Sequence, residues 1–258
     1  MPRHASQAGR GSPVIPTIDI AQGRAMRPSK ITDLDDPCDP VEISGRYRDQ
    51  GVRRVFLDVQ EPWEHSDASL AVVERVGDIG VAPWVTVANG VIPSVDAVGS
   101  LLDVGADAVG ISTTSVERPS MLHTAAQRFG VEHFLGVMNV QRTGGGRWDI
   151  VIEGGRTPVP VDAVTWARML TDLGAGFVLP NSIDQEGTGE GYDLDLVRSM
   201  AGAVSVPVIA SGGCGTLRHL RDAIVSGADY VLTQRMLHDG IFSAAEADAY
   251  IHHGHADR

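Results

Sequence analysis

Cysteine is nearly missing from this chain. Cys38 and Cys214 are the only two among 258 residues, and neither sits in a paired motif. That excludes a disulfide framework and a thiolate metal site, and it points to a reducing compartment, the cytoplasm. Long apolar runs are missing too, so no segment reads as a transmembrane helix and no membrane partner is expected. Met1 to Pro13 also lacks the apolar centre of a signal peptide. Positive charge is scarce: 21 Lys and Arg stand against 33 Asp and Glu, a formal charge of −12. This argues against a broad nucleic-acid surface, although backbone N–H groups can still hold a phosphate locally. Aromatic residues make up 5% of the chain and apolar residues 43%, so a core of Val, Ile, Leu and Ala is expected. Neither a metal-ligand constellation nor a nucleotide P-loop is visible, and no cofactor is expected.

What the chain does have is internal repetition. Four short phrases begin at Gly51, Gly105, Gly174 and Gly227, each reading as a helix-ending Gly followed at once by an apolar strand. Gly51 and Gly174 lie 123 residues apart, and Gly105 and Gly227 lie 122 apart, so the second half repeats the first. Within each half the phrases are 54 and 53 residues apart, room for two strand-plus-helix units of roughly 27 residues each. Eight such units close most naturally into a parallel (β/α)8 barrel of the TIM type, with chemistry at the C-terminal ends of its strands. One domain over 14–251 is expected, with half-barrels of about 14–130 and 131–251. A frayed extension over 1–13 and a solvated tail over 252–258 should flank it.

The expected strands are 14–19, 55–59, 84–87, 108–111, 134–139, 177–182, 206–211 and 230–233. Most are continuous apolar runs, as buried parallel strands should be. A hairpin around Trp148 to Glu153, turned by Gly144-Gly145-Gly146, is expected inside the loop after the fifth strand. The repeat sets Asp19 opposite Asn139, and the stretch from Thr86 to Gly90 opposite that from Ile209 to Gly213. Each half thus brings one polar residue and one Gly-bearing loop to the barrel mouth. Glycines there let the backbone approach a ligand, and loops after barrel strands commonly hold phosphate. Two such loops predict a substrate with a phosphate at each end.

The run from Ser182 to Asp193, with Gly191-Tyr192-Asp193 at its end, and the run from Val206 to Gly215 resemble the cyclase subunit of imidazole glycerol phosphate synthase. So do Val14 to Arg24, Asp39 to Glu42 and Val55 to Asp58. The similarity spans roughly 14–251 and favours the cyclase over its sister, the phosphoribosyl isomerase of histidine biosynthesis. The resemblance implies a bisphosphorylated substrate: a ribulosyl phosphate chain linked through a formimino group to an aminoimidazole carboxamide ribotide. It implies ring closure to imidazole glycerol phosphate with ammonia fed through the barrel by a glutaminase. Two carboxylates, one per half, act as general acid and base. The implied phosphate contacts fall on Asn89, Gly90, Ser112 and Thr113 in the first half, and on Glu186, Gly187, Ser211, Gly212, Gly213, Gln234 and Arg235 in the second.

This chain departs from that pattern. Asp19 occupies the place of the first acid, but Asn139 occupies that of the second, and an amide cannot exchange a proton near neutral pH. Arg27 and Gln141 stand where the family has lysines, with Asn181 as a further substrate-orienting residue. Ala88 and Asn89 replace glycines, and Gln234-Arg235 replaces a small pair. Arg235 either clamps a phosphate or fills the site. At the barrel bottom, the four positions of the family's charged ammonia gate are Pro13, Arg53, Ala108 and Phe177, none keeping its charge type. A docked glutaminase is therefore not expected. The expected activity is a diverged cyclase or lyase on a phosphoribosyl-aminoimidazole-type substrate, using Asp19 without channelled ammonia, as in a specialised nucleoside pathway. The ordinary cyclase of histidine biosynthesis and a non-catalytic phosphoriboside-binding barrel are the alternatives.

Overall fold

The computed structural model describes residues 11–253. Eight apolar runs form the barrel strands: β1 Val14–Ala21, β2 Arg54–Val59, β3 Ala82–Val87, β4 Ala108–Ile111, β5 Phe134–Gly144, β6 Phe177–Ser182, β7 Ile209–Ala210 and β8 Tyr230–Thr233. Consecutive strands pair in parallel from β1 to β6, β7 pairs with β8, and β8 returns to β1. Isolated parallel bridges at Val178–Val208 and Asn181–Ser211 join β6 to β7 and complete the ring. The chain thus forms a TIM-type (β/α)8 barrel.

Eight outer helices follow the strands: α1 Pro40–Asp49, α2 Asp67–Asp78, α3 Val95–Asp103, α4 Pro119–Phe129, α5 Ala163–Asp172, α6 Leu194–Ala203, α7 Leu217–Val225 and α8 Ala244–His253. Their starts are chemically marked. Asp39, Ser94, Asp162, Asp193 and Thr216 each accept a first-turn backbone N–H through the side chain, a cap worth about 1 kcal/mol each. The four phrase-opening glycines all have positive φ, as residues closing a helix before a strand require. Leu101, Leu122, Leu170 and Leu220 bury their helix faces against the barrel, and losing any one such side chain costs about 2–5 kcal/mol.

Three expectations are corrected. β7 is two residues long and not six, since Pro207 cannot donate to a ladder and Gly212 and Gly213 leave the sheet at once. The hairpin belongs to β5 itself, which runs on to Gly144, turns through Gly145 and Gly146, and pairs with Arg147–Ile152. A third strand, Thr157–Asp162, pairs with the second. Finally, α8 runs through His252 and His253, and Pro13 already bonds to β8 through Val231 N–H. Residues 1–10 and 254–258, which hold most of the expected extension and tail, lie outside the described residues.

The floor of the barrel is packed with rings. Trp84, Phe177 and Tyr230, from the N-terminal ends of β3, β6 and β8, meet at centroid distances of 4.8–6.4 Å. The Arg54 guanidinium lies 5.5 Å from both the Trp84 and Tyr230 centroids. Ala108 sits beside Trp84 in register, small enough to admit the indole, whose N–H donates to Asp107 at 2.8 Å.

Candidate active site

Strand register assembles the mouth. Asp19 on β1 pairs with Asp58 on β2, and Asp58 pairs with Thr86 on β3. In the other half Asn139 on β5 pairs with Asn181 on β6, and Asn181 bridges to Ser211 after β7. These six residues form one polar tier beneath a cavity of about 340 Å³ at the C-terminal strand ends.

The two halves of the tier differ chemically. In the second, the Asn181 amide donates to Asn139 Oδ1 at 3.0 Å and to Glu186 Oε2 at 3.1 Å, while its carbonyl accepts from Ser211 Oγ at 2.9 Å. With its oxygen so engaged, Asn139 presents its N–H2 to the cavity as a donor. In the first, two carboxylates are neighbours. Thr86 Oγ1 donates to Asp58 Oδ1 at 2.6 Å. Burial, offset by the Thr86 hydroxyl and reinforced by the nearby charge of Asp19, pushes the Asp58 carboxyl up to about 6. Asp58 can therefore carry a proton near neutral pH, which Asn139 cannot.

Of the residues singled out in the sequence, the cavity brings together Asp19, Arg27, Asn89, Ser112, Asn139, Asn181, Glu186, Gly187, Ser211, Gly212, Gly213, Gln234 and Arg235. Three expected residues do not line it. Gly90 faces Ser112, where an added Cβ would stand 2.4 Å from the Ser112 nitrogen, so this glycine serves a loop crossing. Thr113 is buried, its hydroxyl accepting from Glu153 N–H at 3.1 Å. Gln141 is exposed on the β5 extension opposite Asp149, because that strand outruns the barrel.

Gly213 is required by a close approach, since a Cβ there would stand 2.1 Å from the Gly191 carbonyl oxygen. Arg235 lies at the exposed rim against Gly189 and leaves Gly212 and Gly213 facing the cavity. Among the described residues neither Arg27 nor Arg235 has a side-chain partner. Cys214 also lines the cavity, but burial pushes its thiol up, away from the reactive thiolate. His219 accepts from Gly215 N–H, and buried His238 bonds to the Arg27 carbonyl, so both act as loop supports.

The hairpin is clasped to the loop after β6. Arg142 donates to Asp193 at 2.7 Å and lies over the Trp148 ring, whose N–H also reaches Asp193. The Arg142 backbone N–H donates to Asp184. No helix among the described residues is long and apolar enough to cross a membrane, and none of their side chains form a metal-binding cluster.

The family model described as histidine biosynthesis protein matches residues 13–243, nearly the whole barrel. The chain belongs to this family. Its members are barrel enzymes of the isomerase and cyclase types. The sequence offers Asp58 as a polar liner of the barrel mouth without a role; only the β1–β2 register and its burial set it beside Asp19.

Proposed function

We propose that this family member is a diverged cyclase-type lyase acting on a phosphoribosyl-aminoimidazole substrate without channelled ammonia, serving a specialised nucleoside pathway. The observation that carries this reading is the pair Asp19 and Asp58 at one register position of the cavity. Imine exchange, ring closure and elimination each move a proton, and two carboxyls in unlike environments divide that work. Asp58, held by Thr86, gives a proton to the departing nitrogen, and the Asp19 carboxylate takes one from the incoming nucleophile. Asn139 donates a hydrogen bond to a carbonyl or hydroxyl of the substrate and holds it in line.

The packed floor supports the absence of a channel. Of the four gate positions that the resemblance implies, Phe177 packs its ring against Trp84 and Tyr230 under the Arg54 guanidinium, and Ala108 sits beside Trp84; rings in contact across the floor oppose the passage of a small solute. Any nucleophile then arrives through the mouth. The test is turnover of the formimino substrate and of its aminoimidazole fragments, with free ammonium salt and with a glutaminase plus glutamine. Activity that ignores the glutaminase fits the reading. Activity that needs the glutaminase, or no turnover of any of these compounds, defeats it.

A further inference from the structure

Asn139, Asn181, Glu186 and Ser211 form a chain of hydrogen bonds, and its direction decides what the second half of the tier can recognise. The Asn181 amide gives one N–H to Asn139 Oδ1 and the other to Glu186 Oε2, and its carbonyl takes the Ser211 hydroxyl. Three of these four groups have no fixed polarity. A side-chain amide can turn over and exchange its donor and acceptor edges, and a hydroxyl can give or accept. Glu186 alone is committed, because a carboxylate accepts and does not donate. It draws the Asn181 NH2 toward itself, and the same NH2 then takes the Asn139 oxygen. The Asn139 NH2 is left at the cavity without an acceptor among the described residues.

Nothing else claims Glu186. It is exposed at the rim of the cavity, its own backbone N–H is spent on the Ser182 carbonyl, and no basic side chain among the described residues pairs with it. The first half of the tier has the opposite polarity. Thr86 donates to Asp58, and Asp19, aligned with Asp58, brings a carboxylate to the cavity. A substrate lying across the tier therefore turns a donor to β1 and an acceptor to β5. A hydroxyl satisfies either end, so a fixed direction discriminates only when the group at β5 is itself committed, as a carbonyl oxygen is.

We propose that Glu186 is a positioning residue that sets specificity: through Asn181 it holds Asn139 as a donor, and Asn139 selects a substrate whose carboxamide oxygen lies against β5. This deepens the proposed function and rests on its aminoimidazole substrate. A donor-only side chain in place of Glu186 would reverse the chain, turn the Asn139 oxygen to the cavity and set two acceptors face to face.

Two ribotides that differ by this one group are the probes: aminoimidazole carboxamide ribotide, and aminoimidazole ribotide, which lacks the carboxamide. Each is titrated by calorimetry into the full-length wild type, Glu186→Gln, Glu186→Lys and Asn139→Asp, all first matched in thermal melting. The ratio of the two Kd values cancels every contact that the ribotides share, the charge change at Glu186 included. The wild type should bind the carboxamide about tenfold more tightly. Glu186→Gln lets the chain run either way and should lower that preference about twofold. Glu186→Lys, which reverses the chain, and Asn139→Asp, which has no donor to offer, should each abolish it. No binding of either ribotide, no preference in the wild type, or a preference that survives Glu186→Lys or Asn139→Asp would each overturn the proposal; a merely structural Glu186 would weaken both ribotides alike. Because the titration measures binding alone, a preference that depends on Glu186 in a protein that turns over no aminoimidazole compound would remove the catalytic reading and leave this assignment standing. Turnover without the preference would do the reverse.

Discussion

Asp19 and Asp58 in the first half of the barrel and Asn139 and Asn181 in the second occupy the same two register positions. They have opposite chemistries. The asparagines are joined by a 3.0 Å hydrogen bond, whereas the Asp19 charge adds to the burial that makes ionising Asp58 costly. A repeated scaffold has thus been split, with proton carriers on one side and fixed hydrogen-bonding groups on the other. The adjoining loops diverge in parallel. Asn89 holds a φ of 60° where its counterpart Gly212 holds 91°, and Gly90 and its counterpart Gly213 hold 72° and 97°. Only glycine takes the larger of these values without strain.

Three changes probe this division, in decreasing order of expected effect. Asp19→Asn makes the first half resemble the second, and kcat should fall about 10²- to 10⁴-fold with the fold intact; steady-state turnover checks it, and unchanged kcat removes Asp19 from the chemistry. Asp58→Asn should relieve a destabilising charge. The Asp58 carboxyl sits above its ordinary 3.8, at about 6, so the folded state holds its proton more tightly than the unfolded chain. Its stabilising influence is complete below pH 4 and is lost as pH rises through 6. Relative to Asp58→Asn, the wild type should lose about 2–3 kcal/mol between those limits, measured by urea unfolding across pH. Ala88→Gly, the smallest change, should stabilise by about 1 kcal/mol if its left-handed backbone is strained, read as a rise in Tm.

The architecture was legible because the offset between halves and the glycine-ended helices are local signals repeated at fixed spacing. Asp19 and the Gly212-Gly213 loop were legible for the same reason. Register was not. Asp58 enters the proposed mechanism because β1 and β2 align it with Asp19, and pairing of this kind leaves no mark in either strand alone. The floor was equally hidden, since Trp84, Phe177 and Tyr230 meet only once the ring closes over nearly 150 residues of chain. Gln141 was misplaced because nothing in its vicinity signals that β5 runs five residues past Asn139.

The most direct test of the aspartate pair is the pH dependence of kcat/KM in wild type and Asp58→Asn, on whichever aminoimidazole riboside proves to be turned over. With Asp58 as the proton donor, wild-type kcat/KM declines as pH rises through about 6, and the variant is slower by about 10²-fold or more, with that decline gone. An identical limb in both proteins, at similar rates, would contradict the account.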